Sequence, residues 1–153
     1  MKITDILPES LVIPALQGHT KEEIIRELAE HMATVHPEID ARRLVDVLWE
    51  RERLGSTAIG DGIAIPHGKL PGVKTVLGAF GRHVGGVDFQ SLDDNPSKLF
   101  FLLVAPEDSV GLHLKALARV SRLLKDPEFR TRLLTAPDRA ELYRIIREED
   151  DKY

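Results

Sequence analysis

The fold class this sequence predicts is α/β (α+β): a three-layer domain with a mixed sheet between helices. Three observations carry that prediction. The elements run in the order short strand, two helices, a cluster of strands, then helices, an order that suits a layered mixed sheet and not a regular βαβ barrel. The segment Lys98-Leu-Phe-Phe-Leu-Leu-Val-Ala105 is almost continuously apolar, as befits a strand at the centre of a sheet covered on both faces. Apolar residues at helical spacing lie before and after the strand cluster, so each side of the sheet has helices to cover it. A chain of 153 residues buries roughly two-thirds of its unfolded surface, and the expectation is one domain over residues 1–153.

Leu11-Val-Ile-Pro-Ala-Leu16 reads as an edge strand, because Pro14 has no N–H for a central ladder. Thr20-Lys-Glu-Glu23 has the capping-box spacing, and Ile24, Ile25, Leu28, Ala29 and Met32 follow on one helical face. His36-Pro37 ends that helix. Asp40 caps a second, with Leu44, Val47, Leu48 and Arg51 on one face and Gly55 as its stop. Ile63-Ala-Ile65 reads as a strand ending at Pro66, and Lys74–Arg82 and Lys98–Ala105 as longer strands. Between those two, Gly85-Gly86 and Asp93-Asp-Asn-Pro96 signal turns, with Val87–Gln90 as a minor strand. Ser109 caps a third helix with Leu112, Ala116, Leu117, Val120, Leu123 and Leu124 on its apolar face. Asp126-Pro127 starts a fourth and Thr135–Asp138 a fifth, with Leu142, Ile145 and Ile146 facing the core. The polar end, residues 147–153, is expected to fray.

Composition excludes several classes of function. The formal charge of −4 offers no basic footprint for nucleic acid or an anionic membrane. With no cysteine there is no disulfide, thiolate catalysis or Cys-ligated zinc, which agrees with a cytoplasmic location. The longest apolar run is far shorter than the ~20 residues that span a bilayer, and the N-terminus lacks the apolar core of a signal peptide.

The most informative segment is Gly55-Ser-Thr-Ala-Ile-Gly-Asp-Gly-Ile-Ala-Ile-Pro-His67-Gly68, which holds four glycines, two hydroxyls and one histidine. Gly60, Gly62 and Gly68 allow tight turns and close backbone approach, and glycine N–H groups with the Ser56 and Thr57 hydroxyls are expected to receive an anion. His67 would stand at a strand-to-loop edge. A neutral imidazole is a competent nucleophile, and a transferring phosphoryl group needs charge neutralisation of the kind Arg51 offers. The plain alternative is that His67 is simply a solvated loop side chain. His113, in the first turn of the third helix, would be kept neutral by the positive helix end, which also attracts anions; equally, it could only pack beside Leu112 and Leu117.

Other motifs fail. From Gly62 to Gly68-Lys69 there are five intervening residues, and Leu70 replaces the hydroxyl residue of a Walker A loop. No Gly-x-Ser-x-Gly elbow or His-Glu-x-x-His is present. His31 and His36 are five apart and do not share a helix face, and His19 lies in a turn; these three read as surface residues and His83 has no evident partner. No metal site and no cofactor is expected.

The run Arg51-Glu-Arg-Leu-Gly-Ser-Thr-Ala-Ile-Gly-Asp-Gly-Ile-Ala-Ile-Pro-His67-Gly68 closely resembles the phosphorylation-site signature of type-2 enzyme IIA domains of the bacterial phosphotransferase system, the fructose, mannitol and nitrogen-regulatory group. Leu99–Pro106, His113-Leu114 and Glu141-Leu-Tyr143 extend the likeness over nearly the whole chain. The resemblance implies that His67 takes a phosphoryl group, on Nε2, from the phosphohistidine of an HPr-like or nitrogen-branch carrier, with His113 and Arg51 beside it. It implies a mixed five-stranded sheet flanked by helices, the mannitol-type enzyme IIA fold. Ala58 stands where glycine is common and Asp61 where asparagine is common; Asp61 is expected to face solvent or pair with a base. The reading is a phosphocarrier of the nitrogen-regulatory type, favoured by the stand-alone domain, that controls partner proteins through its phosphorylation state. The alternatives are a sugar-specific enzyme IIA passing phosphate to an enzyme IIB, and a binding module without phosphorylation.

Overall fold

A computed structural model describes residues 1–153. Two 3₁₀ turns, Ile3–Asp5 and Glu9–Leu11, lead into β1 (Val12–Ile13); α1 (Lys21–Val35) and α2 (Ala41–Arg53) follow. Then come β2 (Ala58–Gly60), β3 (Ile63–Ala64), β4 (His67–Lys69), β5 (Leu77–Val87) and β6 (Ser97–Ala105), and finally α3 (Val110–Leu124), α4 (Pro127–Thr135) and α5 (Arg139–Asp150).

The mixed sheet has the order β1-β5-β6-β3-β2, with β4 also pairing β6. Ile63 opposite Leu99 and His67 opposite Leu103 keep one register, so β3 and β4 are a single strand interrupted at Ile65-Pro66. Six segments thus occupy five strand positions. β6 is central: antiparallel to β5, parallel to β3 and β4, and buried almost throughout as its apolar run predicts. Beyond Ala64 the second neighbour is lost, since β2 pairs only β3, and β4 has a ladder partner on one side.

Caps explain where the helices begin. The Thr20 hydroxyl accepts from the Glu23 amide, and Asp40, Asp126 and Asp138 do the same for α2, α4 and α5. Apolar faces then pack the sheet from both sides: Phe80 and Phe101 meet Val120, Leu123, Phe129, Leu133 and Ile146 on one, while α2 seats Val47 against Gly68 on the other. One cluster of 44 buried residues joins the layers.

Four local expectations are corrected. Gly85-Gly86 makes no turn between strands; β5 runs through it with a bulge between Arg82 and Val87, where Gly86 takes φ +83°. The minor strand reduces to Val87, the last residue of β5. The Ser109 hydroxyl donates to the Pro106 carbonyl and does not cap α3. On α3 the buried positions are His113, Ala116, Val120, Leu123 and Leu124, and Leu112 is exposed.

The C-terminal segment is docked rather than frayed as far as Asp150. Asp150 is wholly buried because the Arg119 guanidinium pairs with it at 2.7 Å and the Thr4 amide donates to it. A run of carboxylates that looks solvated in sequence therefore ties α5 to α3 and to the first turn of the chain.

Candidate functional site

His67 opens β4, directly after Pro66. Its Nδ1–H donates to the Ile65 carbonyl at 2.7 Å, which leaves the Nε2 lone pair outward. Arg51, in the last turn of α2, donates from Nε to that nitrogen at 3.3 Å and from Nη1 to the Gly55 carbonyl at 2.9 Å. Gly55 thus ends α2, with φ +145°, and also anchors the guanidinium. The imidazole is therefore a half-buried acceptor with one fixed tautomer and a cation at its open nitrogen.

His113 comes from the first turn of α3, just past the carboxyl end of β6. It is buried, its ring centroid lies 5.4 Å from that of His67, and its Nδ1 has no hydrogen-bond partner. With no side chain capping α3, the first amides of that helix are unclaimed by a cap. Lys69 lies two residues beyond His67, on the same face of the strand, and lines one cleft with Arg51, His67, His113 and Glu50. Lys69 is missed from sequence although that spacing would have found it. On the other side of His67 a second concavity is formed by Ile59, Leu114 and Leu117.

The structure brings Arg51, His67 and His113 together and gives the remaining expected residues other work. Ser56 donates to the Phe89 carbonyl and accepts from the Ala58 amide. Thr57 is buried, its hydroxyl donating to Glu52. Neither hydroxyl is free for an anion. Gly60 and Gly62 flank Asp61 in the β2–β3 hairpin, all three at positive φ, about 16 Å of strand away from His67. Asp61 is exposed there, and its amide donates to Asp93, whose carboxyl is drawn down to about 2 by Ser91, the Asp61 amide and Asn95. His83, outside the site, is buried between the Gly18 carbonyl and the Gly86 amide.

Gly68 serves packing. A Cβ built there would meet Val47 Cγ1 at 2.6 Å, and a β-branched side chain on a helix has little rotamer freedom to yield. Gly68→Ala is expected to lower stability by about 1–3 kcal/mol, read as an earlier midpoint in urea; an unchanged midpoint would refute the packing role.

Both imidazoles are held below the ordinary histidine value. For His67 burial is the main cause, Arg51 adds to it, and the Ile65 carbonyl and Glu52 oppose it. For His113 burial again leads, followed by His67 and Lys69. The unfolded chain binds these protons near pH ~6.5 and the folded chain only at lower pH, so their contribution to stability is full above the unfolded value and is lost as pH falls through the folded values. The melting temperature is expected to fall as pH drops from about 7.5 to 5, with a shallower slope in the His67→Gln/His113→Gln variant. Equal slopes would contradict this.

Family and structural relatives place the chain and its fold. The family model for the phosphoenolpyruvate-dependent sugar phosphotransferase system, EIIA 2, matches residues 5–149. A nitrogen regulatory protein of Bradyrhizobium diazoefficiens is 41% identical over 95% of each chain. The fructose-specific EIIABC component of Bacillus subtilis is 37% identical over 98% of this chain, which spans 24% of that protein. Among solved structures, the nitrogen regulatory protein IIA-Ntr of Neisseria meningitidis matches with a TM-score of 0.88 and 32% identity, over 94% of this chain and 98% of that one. The IIA mannitol domain of Escherichia coli shares the fold, with a TM-score of 0.76 and 22% identity over 91% and 97%. No helix is long and apolar enough to cross a membrane. The chain belongs to the EIIA 2 family of the phosphoenolpyruvate-dependent sugar phosphotransferase system.

Proposed function

We propose that this chain is a phosphocarrier that accepts a phosphoryl group on Nε2 of His67 from a phosphohistidine carrier protein and, in the manner of nitrogen-regulatory enzyme IIA, controls partner proteins by its phosphorylation state. The observation that carries it is the tautomer: Nδ1–H is committed to Ile65, so the nucleophilic pair stands on Nε2, within reach of Arg51. In the transfer the Nε2 lone pair forms the new N–P bond while the donor's N–P bond breaks and its electron pair returns to the donor imidazole. Arg51, Lys69 and His113 surround the place where the phosphoryl oxygens would lie and oppose their charge. The added charge changes what this surface accepts as a partner. The nitrogen regulatory relatives, at 41% identity and TM-score 0.88, support the regulatory output.

Incubation with phosphoenolpyruvate, enzyme I and an HPr-like or nitrogen-branch carrier should add one acid-labile phosphoryl group, read by intact mass and mapped to His67. No gain, or a gain at another residue, would end the proposal. The 37% identity to a fructose-specific component supports a second reading, transfer onward to an enzyme IIB. Rapid loss of label to a fructose-type enzyme IIB would favour it over the regulatory output.

A further inference from the structure

We infer that Glu52, with Lys21 behind it, is a positioning residue for phosphoryl transfer at His67, acting through Thr57 and Ile65; the inference rests on the reading of His67 as the acceptor. Glu52 is the residue after Arg51, yet its side chain turns inward and is 1% exposed. There its carboxylate accepts from the Thr57 amide at 3.0 Å, from the Thr57 hydroxyl, and from Lys21 Nζ at 2.8 Å. Lys21 in turn donates to Gln90 at 3.1 Å and lies over the Phe89 ring at 4.8 Å from its centroid.

From Thr57 the chain of contacts continues to the nucleophile. The Thr57 carbonyl accepts from the Ile65 amide at 3.0 Å, and the Ile65 carbonyl accepts from His67 Nδ1–H at 2.7 Å. Each link is a backbone group held on its other side by the previous one. The ion pair therefore fixes where the Ile65 carbonyl sits, and that carbonyl fixes which nitrogen of His67 carries the proton. Glu52 also sits on the last turn of α2, so the contact that holds Thr57 steadies the backbone from which Arg51 reaches Nε2. A fold needing only burial here would use apolar residues, because a buried pair gains little net stability over a hydrophobic replacement. Retaining a charge pair on this path fits a role in aiming the site.

The reaction explains why aiming matters. A neutral ring attacks through Nε2 and keeps its Nδ1 proton, so the product is a phosphoimidazolium whose N–H still needs its carbonyl. If the Ile65 carbonyl moves, the other tautomer becomes populated and Nε2 is blocked by a proton.

Three variants test this: Lys21→Met/Glu52→Ala, which removes the pair together and leaves no lone buried cation; Lys21→Met/Glu52→Gln, which keeps an acceptor and a donor for Thr57; and Thr57→Val. Phosphorylation rate and the ¹⁵N spectrum of the His67 ring are read for each. The alanine pair is expected to react at least about tenfold more slowly and to show mixed tautomers, as misplaced reacting groups do. The glutamine pair is expected to return to within about threefold of the parent, with Nδ1–H restored. An alanine pair with parent rate and parent tautomer would overturn the inference, as would a glutamine pair no better than the alanine pair. Should the alanine pair fail to fold, Thr57→Val decides: a slower rate with mixed tautomers supports positioning, and parent values overturn it. If the parent chain takes up no phosphoryl group, the acceptor reading falls by itself, and the ring spectra still decide whether Glu52 sets the tautomer.

Discussion

Replacing His67 with alanine is expected to give a folded chain that takes up no phosphoryl group under conditions that label the parent fully. The loss is complete because the substitution removes the atom proposed to form the N–P bond, and none of Arg51, Lys69 and His113 can replace it, Lys69 being an ammonium without a lone pair. Arg51 is a cation without a usable lone pair. His113, with its ring 5.4 Å from that of His67, lacks a guanidinium of its own and lies below the surface. Its replacement by glutamine is expected to slow transfer by about 10–100-fold, while Arg51→Met costs about 100–1000-fold, the range seen when a preorganised charge or donor is removed from a developing oxyanion. The ordering His67, then Arg51, then His113 is the discriminating result. Intact-mass time courses on the three variants read it directly, and residual labelling of the alanine variant at any nitrogen would refute the assignment of Nε2. Thermal melts above pH 7 should stay close to the parent, since His67 is only half-buried and opens β4, which has a ladder partner on one side only.

Much of this was legible in the sequence because it depends on local chemistry. Thr20, Asp40, Asp126 and Asp138 announce helix starts through side chains that bond amides two or three residues away, and Lys98–Ala105 announces a central strand through composition alone. Pro66 marks the break in the strand for the same reason, but the strand resumes in register at His67, which opens β4 and does not stand at a strand-to-loop edge. What stayed hidden depends on contacts distant in sequence. Nothing near Ser56 or Thr57 shows that Phe89 and Glu52 claim their hydroxyls, so both read as free anion donors. Gly60 and Gly62 looked like part of the site because they are close to His67 in sequence, but an extended strand carries them away from it. Lys21 opens α1 and Glu52 lies near the end of α2, and no sequence pattern links the two. At His113 burial leads in lowering the proton affinity, followed by His67 and Lys69, whereas local sequence points only to the helix end.

Replacing Arg82, in the middle of β5, with methionine is expected to lower stability by about 3 kcal/mol, or about 10 °C in melting temperature for a chain of this size. Arg82 is only 7% exposed and has no carboxylate partner. Its Nε donates to the Pro14 carbonyl at 3.0 Å, and Nη1 donates to the Leu133 and Ala136 carbonyls at 2.8 and 2.6 Å. Leu133 and Ala136 lie at the C-terminal end of α4, where carbonyls lack intrahelical partners and the helix dipole favours a cation. One guanidinium therefore joins β5, the segment after β1 and the end of α4. Burial draws its proton affinity down, yet arginine starts so high that it stays charged. Methionine keeps much of the stem's volume but leaves three carbonyls without a donor. The cost is smaller than the sum of three charged hydrogen bonds, because methionine also relieves the desolvation of the buried cation. Lysine, with a single ammonium, cannot span the same three carbonyls and should fall between the two. Urea denaturation tests the ranking Arg82, then lysine, then methionine. A methionine variant within about 1 kcal/mol of the parent would show that the carbonyls find other donors and that the clamp is dispensable. Because Arg82 pairs with Leu99 and His67 with Leu103, the folded methionine variant should accept phosphoryl groups at the parent rate, separating what holds the sheet together from what carries the chemistry.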